Sequence, residues 1–172
     1  SEEQFRQLAE TIREVFWLVS PDWRNVLYIS PAYEEVWGRS RESLQASPPS
    51  WLDAVVEEDR PALQVDIERK IAGDFSRPEF PEYRIVRPDG SVRWILARAF
   101  PIQDADGKVC RIAGIAEDIT DRKNAEHRLQ MQLQELQRWH AVTLGREGRI
   151  QELKCEINDV LKAHGEAARY AS

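Results

Sequence analysis

The apolar residues of this chain alternate between helical and strand spacing. Phe5, Leu8 and Ile12 are spaced by three and four, which predicts an amphipathic helix over residues 1–13. Val15-Phe16-Trp17-Leu18-Val19 and Val26-Leu27-Tyr28-Ile29 are runs of β-formers, and Ser20-Pro21-Asp22 and Asn25 between them predict a hairpin. Pro31 then stands at a helix start, where a missing N–H does no harm, with Ser30 as its cap. Tyr33, Val36 and Trp37 follow at helical spacing, and Gly38 ends the turn. Ser40 caps another short helix reaching Leu44, Ser47-Pro48-Pro49-Ser50 is a loop, and Trp51-Leu52 and Val55-Val56 are apolar anchors. Asp59 before Pro61 marks a longer helix with Leu63, Ile67 and Ile71 on one face, stopping at Gly73.

The second half reads as sheet. Glu82-Tyr83-Arg84-Ile85-Val86, a long run from Val92 to Phe100, and Val109 to Ile119 are three strands. Pro88-Asp89-Gly90 and Asp104-Ala105-Asp106-Gly107 turn the chain between them, giving an antiparallel meander. Strands, then helices, then strands predict an α+β fold. The long strand is apolar on both faces, with Trp94, Leu96 and Phe100 on one and Ile95, Ala97 and Ala99 on the other. A half-solvated antiparallel sheet alternates apolar with polar, so this sheet is expected to be covered on both sides. The middle helices would cover one face, and the N-terminal helix or a second subunit the other.

No proline occurs between Asp121 and His164. Leu129, Leu133, Leu136, His140 and Thr143 step by four and three as a heptad seam. Ile150, Leu153, Ile157 and Val160 continue it one phase over, with a slip of the stutter or stammer kind near Gly145 and Gly148. A helix of that length runs roughly 65 Å at about 1.5 Å per residue. It either pairs with a copy of itself, the expected arrangement, or bends at the glycines into a hairpin. The domains are therefore an N-terminal helix (1–13), a mixed domain (14–120) and a C-terminal helix (121–172).

Composition narrows the class. The net charge of −6 argues against a nucleic-acid partner, which needs a basic face. No apolar run approaches the roughly 20 residues of a membrane span and no signal peptide is visible, so a cytoplasmic location without direct membrane contact is expected. The first residue is Ser1 rather than Met, which reads as a piece of a longer protein or as a chain with a tag remnant. Cys110 and Cys155 fit neither a zinc pattern nor a disulfide framework and are expected to be reduced thiols.

Three segments carry a family resemblance. Ser30 to Gly38 resembles the first-helix motif of PAS domains. Tyr83-Arg84 through Pro88-Asp89-Gly90 to Arg93-Trp94-Ile95 resembles the strand pair of the PAS subfamily common in bacterial sensor kinases. Asp118-Ile119-Thr120-Asp121-Arg122-Lys123 resembles the motif that ends such domains and begins a signalling helix. Two features depart from the family: Glu57-Glu58 stand where His-Pro often precedes Asp-Arg, and Ser30 stands where Asn is usual. The resemblance implies a five-stranded antiparallel sheet with short helices on one face, followed by the long coiled-coil helix. It implies a sensory and dimerisation module of a bacterial two-component histidine kinase. The alternatives are a ligand-free dimerisation module and the input domain of a diguanylate cyclase or other regulator.

The resemblance also directs attention to two places. At the junction, Thr120 can cap the helix, and Asp118 and Arg122, four apart, can pair across the strand–helix turn. Between helices and sheet, Tyr33, Trp37, Trp51, Ile67, Tyr83, Trp94 and Ile112 are candidates to line a ligand pocket or to be plain core. Familiar cofactors are not expected. His127, His140 and His164 all lie in the C-terminal helix, leaving none for a haem, and no cysteine lies on the middle helices, where the flavin-binding type carries one. An unknown small ligand stays possible. His140 lies on the seam, and Ala141-Val142-Thr143 after it lack the acidic residue and proline that follow a kinase phosphoacceptor. No nucleotide loop is present, and Asp104 to Gly107 is a turn too short for a calcium loop. No catalytic constellation is expected in this fragment; the partners are a second copy and a downstream effector domain.

Overall fold

A computed structural model describes residues 2–170. It comprises two compact units, Ser1–Lys123 and Asn124–Ser172. In the first, α1 (Glu2–Thr11) precedes the hairpin strands β1 (Val15–Val19) and β2 (Val26–Ile29). Short helices α2 (Ala32–Trp37), α3 (Arg41–Ala46) and α4 (Ser50–Asp53) follow, then a 3-10 turn (Glu57–Asp59) and α5 (Arg60–Ile71). Strands β3 (Tyr83–Val86), β4 (Val92–Gln103) and β5 (Val109–Asp118) complete one five-stranded sheet of order β2-β1-β5-β4-β3. Its paired strands are all antiparallel.

The turns form as their residues dictate. Gly90 and Gly107 sit at φ 85° and 80°, conformations that cost glycine nothing. The Asp104 carboxylate accepts from the backbone N–H of Asp106 and Lys108, which makes it a hairpin brace. Gly38, at φ 68°, closes α2. Both cysteines are free.

The inner face of the sheet meets the helices. Val15, Val19, Ile85, Ile95, Ala97, Ala99, Ile112 and Ala116 are buried there with Tyr33, Trp37 and Leu63. Trp17, opposite Gly114 in the β1–β5 register, lies across the glycine so closely that a Cβ there would fall 1.9 Å from the indole ring. Glycine is obligatory at this strand position because another side chain occupies the space.

Several local expectations change. Ser30 does not cap α2; its buried hydroxyl accepts from Phe16 N–H at 2.9 Å and so extends the β1–β2 ladder. Asp59 does not cap α5; its carboxylate accepts from Arg84 N–H at 2.9 Å. Arg84 belongs to the edge strand β3, whose other outward groups meet Val56 N–H and Ala54 C=O. A buried edge leaves backbone groups that must be paired, and that demand outweighs a helix cap. On α5, Leu63 is buried, whereas Ile71 is 47% exposed and Lys70 takes the inward place. Steps of four overshoot the 3.6-residue turn, so by Ile71 the row has rotated off the core.

The outer face is only partly covered. Phe5 of α1 lies 6.3 Å from Tyr28 of β2 and Ala9 is buried, but Phe5, Leu8 and Ile12 are themselves exposed. Ala9 is thus the buried residue of α1, the apolar stripe is left largely open to solvent, and Phe100 and Ile102 of β4 stay exposed as well. In the second unit, α6 (Thr120–Ala163, which starts in the first) runs unbroken through Gly145 and Gly148 and buries none of its residues, so no hairpin forms. Beyond it Gly165, at φ 75°, lets Glu166 N–H reach Leu161 C=O, a left-handed helix end. No described helix is long and apolar enough to cross a membrane.

Replacing Gly114 by Ala is expected to lower the stability of the domain by about 1–3 kcal/mol, because Trp17 must leave its site. Urea denaturation followed by tryptophan fluorescence measures both the loss and the displaced indole.

Candidate functional site

Between the inner sheet face and the short helices lies a cavity of about 70 Å³. The sheet contributes Val15, Trp17, Val26, Tyr83, Ala97 and Ala116, and the helical side contributes Tyr33, Trp37, Leu44, Trp51 and Leu63. Trp23, from the β1–β2 turn, and Phe80, from the segment before β3, complete the wall. The aromatic rings hold one another. Tyr33 stacks on Trp37 at 5.2 Å, Trp23 packs between Trp17 (5.1 Å) and Phe80 (5.9 Å), and Trp51 meets Tyr83 at 6.2 Å. Burial pushes the Tyr33 phenol up to about 12 and raises Tyr83 further, so both are neutral at any physiological pH. Three polar atoms of these walls, Tyr33 Oη, Trp37 Nε1 and Trp23 Nε1, are sealed from solvent without a hydrogen-bond partner. Each unmade bond of this kind costs roughly 1–3 kcal/mol.

Of the pocket residues expected from sequence, Tyr33, Trp37, Trp51 and Tyr83 line this cavity. Ile112 is buried core and Ile67 packs half-buried against that core. Trp94 is on the opposite face, since it pairs with Arg84 while its neighbour Ile95 pairs with Tyr83. Sequence reasoning missed Trp17, Trp23 and Phe80. Alternation with Val15 and Val19 places Trp17 inward, but the run Val15–Val19 is apolar throughout and hides that phase. Trp23 had no local signal, because it sits at φ 61°, the one described non-glycine residue with positive φ.

The junction is the second part of the site. Asp118 and Arg122 were expected to pair; Asp118 instead meets Arg93 at 3.5 Å, and Arg122 meets Glu82 at 2.9 Å. The reason is geometric. Asp118 ends a strand, and its carboxylate is held by the residue two places on, accepting from Thr120 N–H at 3.0 Å and from the Thr120 hydroxyl. Thr120 is the first residue of α6, and its Oγ1 accepts from Trp94 N–H at 2.9 Å instead of capping the helix. Ile119 N–H donates to Trp94 C=O at 2.9 Å, so both backbone groups of Trp94 are spent on the junction. The Trp94 ring carries Lys123 at 4.5 Å and Arg84 at 5.5 Å. Glu82 binds both Arg122 and Lys123. Arg84 in turn grips Asp59 through Nε (3.0 Å) and Nη2 (2.9 Å), and Glu58 at 3.0 Å. Those bonds hold the Asp59 carboxyl below its ordinary range. Of the seam residues, Leu129, Leu133, Leu136, His140, Thr143, Ile150 and Val160 are exposed, as are Leu153 and Ile157 at 42% and 40%.

A sheet with one face closed by short helices over an aromatic cavity, running directly into a long helix, defines a sensory-type α+β module. Residues 26–116 match the family model described as the PAS fold, and the chain belongs to that family. An uncharacterized protein of Sinorhizobium fredii, y4lL, is 32% identical over 146 residues, which is 83% of this chain but 17% of that protein. The chain thus spans about a sixth of that relative's length. A domain of a candidate light- and redox-sensing histidine kinase from Haloarcula marismortui is 30% identical, with a TM-score of 0.53 over 69% of this chain and 99% of its own. The N-terminal domain of a diguanylate cyclase with PAS/PAC sensor from Marinobacter aquaeolei, 22% identical, shares the fold with a TM-score of 0.56 over 64% of this chain and 98% of its own. Signal sensing is therefore the general role of the module.

Asp59→Asn keeps the shape of the edge-strand brace and removes its charge. Because the folded-state pKa lies below the unfolded one, the ion pair adds stability that is full above the ordinary value of about 4 and is lost as pH falls through the lower folded value. The variant is expected to be less stable at pH 7 by up to about 1 kcal/mol, since solvent reaches part of the pair, and the difference is expected to shrink as pH falls toward 2. Paired urea titrations at the two pH values check this.

Proposed function

We propose that this chain is the sensing and dimerisation module of a bacterial two-component sensor histidine kinase, working in the cytoplasm and carrying no catalysis of its own. The observation that supports this most is the segment Glu82-Tyr83-Arg84. Tyr83 is part of the cavity wall, and its two neighbours grip the start of α6 (Glu82 to Arg122 and Lys123) and the Trp94 ring above it (Arg84). A change at the cavity that moves Tyr83 moves the residues that hold the helix. A second copy of the chain covers the apolar seam of α6 and, on the sheet side, Phe5, Leu8 and Phe100. Each of these two surfaces exposes several large apolar side chains, which a second copy would remove from water. A ligand-free dimerisation module is the second reading, favoured by the small size of the cavity. The effector is a kinase core in the first instance, and a diguanylate cyclase domain uses the same front end.

Sedimentation of the chain is expected to return twice its 20.0 kDa mass, and Leu133→Asp with Leu136→Asp a monomer. A monomeric parent at every concentration would remove the dimer from the proposal. In a fusion to a histidine kinase core, Glu82→Gln is expected to change autophosphorylation several-fold while stability moves by less than about 1 kcal/mol. Unaltered output would break the route through Glu82. Disulfide crosslinking of Leu136→Cys and Ile157→Cys, made with Cys155 replaced by Ser, reads the helix pairing directly. Yields that shift in opposite directions between signalling states support a rotating seam; yields that never vary count against it.

A further inference from the structure

One wall of the cavity is held in place at a cost the others do not bear. Trp23, from the β1–β2 turn, lines the cavity and is only partly buried, so it stands between the cavity and solvent. Its backbone is left-handed, at φ 61°, a conformation a bulky side chain adopts only where its surroundings impose it. Its indole Nε1 is sealed without a hydrogen-bond partner, whereas in water it has one. What holds the ring in is aromatic contact, with Trp17 at 5.1 Å and Phe80 at 5.9 Å. The neighbouring walls are fixed by backbone pairing. Trp17 lies in β1, between β2 and β5, and Tyr33 and Trp37 are part of α2. Phe80 N–H donates to Ala97 C=O and Ala99 N–H to Pro78 C=O, both at 2.9 Å, and the buried Lys70 ammonium ties the same segment through Arg77 C=O at 3.1 Å.

We propose that Trp23 is a hinged lid on the cavity. Closed, it leaves about 70 Å³; swung into solvent, it adds the room its own indole occupies. This is a regulation of the sensing site, and it rests on the cavity being that site. The closed volume is half of the roughly 150 Å³ that admits benzene, so a ligand as large as one aromatic ring enters only when a wall moves. Opening loses two ring contacts and the burial of the indole. It regains a hydrogen bond to water and releases the left-handed backbone, so gains and losses oppose each other and a ligand can decide between the two states. The turn has the parts of a hinge. Its base is closed by Ser20 N–H to Asn25 C=O and by Asn25 N–H to Ser20 Oγ, both at 3.0 Å, and these bonds stay made while residues 21–24 move. Its latch is the exposed Asp22 carboxylate, which accepts from Ser20 Oγ at 2.5 Å and from Arg24 N–H at 3.1 Å, one residue before Trp23 and one after it being drawn together. Trp23 N–H, bound to Ser20 C=O at 2.9 Å, completes the closed turn.

The test is hydrogen exchange of the indole N–H groups in the full chain, followed by nitrogen-15 NMR. Trp37 is the internal reference, because its Nε1 is also sealed and unpartnered while its backbone is helical. Trp23 is expected to exchange roughly a hundred-fold faster than Trp37 and to respond weakly to low urea, as a local opening does, whereas Trp37 follows global unfolding. Asp22→Ala removes the latch and keeps the ring. It is expected to speed Trp23 exchange relative to Trp37 by about ten-fold, one hydrogen bond's worth, with thermal melts confirming the fold. Benzene is expected to bind the parent chain and to bring Trp23 exchange close to that of an exposed indole. Equal protection of the two indoles, the same urea dependence for both, or no acceleration in Asp22→Ala overturns the lid. So does a failure of benzene to bind, or binding that leaves Trp23 protected. The sedimentation and kinase-fusion measurements do not involve Trp23. A failed lid with Glu82-dependent output intact therefore removes the lid alone, and an opening lid without that output removes the sensing role alone.

Discussion

Side-chain alternation on β3 puts Tyr83 inside the cavity wall and Arg84 outside, against the Trp94 ring. That alternation is the constraint on which the rest of the domain turns, because it lets two or three consecutive residues serve both faces of a one-layer sheet. β3 is an edge strand, and such an edge needs something along it to satisfy its N–H and C=O groups. Here the turn of residues 54–59 supplies that cover, with Val56 N–H, Ala54 C=O and the Asp59 carboxylate. The same Arg84 that receives the brace then reaches Asp59 and Glu58 with its guanidinium. Cavity wall, edge cover and helix anchor therefore meet within residues 82–84, and none can shift without the others.

Trp94 does for the helix start what Arg84 does for the edge. Its N–H and C=O bind Thr120 and Ile119, and its ring lies under Lys123. A backbone bond and a side-chain bond to adjacent residues fix a direction as well as a position, which a single exposed ion pair cannot do. The ion pairs of Glu82 add a charged contact beside that fixed pair, one that can be weakened without unfolding the strand.

The sequence made strands, turns and the junction motif legible because these follow local rules: period two, glycine at positive φ, a short motif at the end of β5. It misled where one residue could serve two masters. Ser30 and Asp59 are good helix caps by type, yet both serve strand N–H groups that sequence separation conceals, 14 and 25 residues away. Asp118 and Arg122 are well spaced for a helical pair, but only one of them is in the helix. Four of seven pocket residues were found because large aromatic residues on short helices and inward strand positions have few other places to go. Trp94 fails that logic, since its strand is apolar on both faces and the phase must be read from its partners. Trp17 depends on Gly114, a non-local pairing in which the absence of a side chain is the informative feature.

The shape of α6 bears on how a seam can hold two states. Leu129, Leu136, Thr143, Ile150 and Ile157 are each seven apart, so one row runs the length of the helix without insertion. What changes is the companion row: Leu133 and His140 follow it by four residues, Leu153 and Val160 by three. The discontinuity is therefore an exchange of sides, and since the step from His140 to Ile150 is seven plus three residues it is a slip of the stammer kind. At about 100° per residue, a companion at plus four lies roughly 40° to one side of the main row, and one at plus three roughly 60° to the other. The centre of the apolar stripe thus rotates by about 50° between the two halves of one continuous helix. Two such helices packed together cannot satisfy both halves with a straight seam. Burying the first half well rotates the second out of register, and the reverse. Gly145 and Gly148, with open space around their α-carbons, stand where the two preferences meet. In the proposed dimer, an input that turns the helix at Thr120 would shift the balance between these two packings.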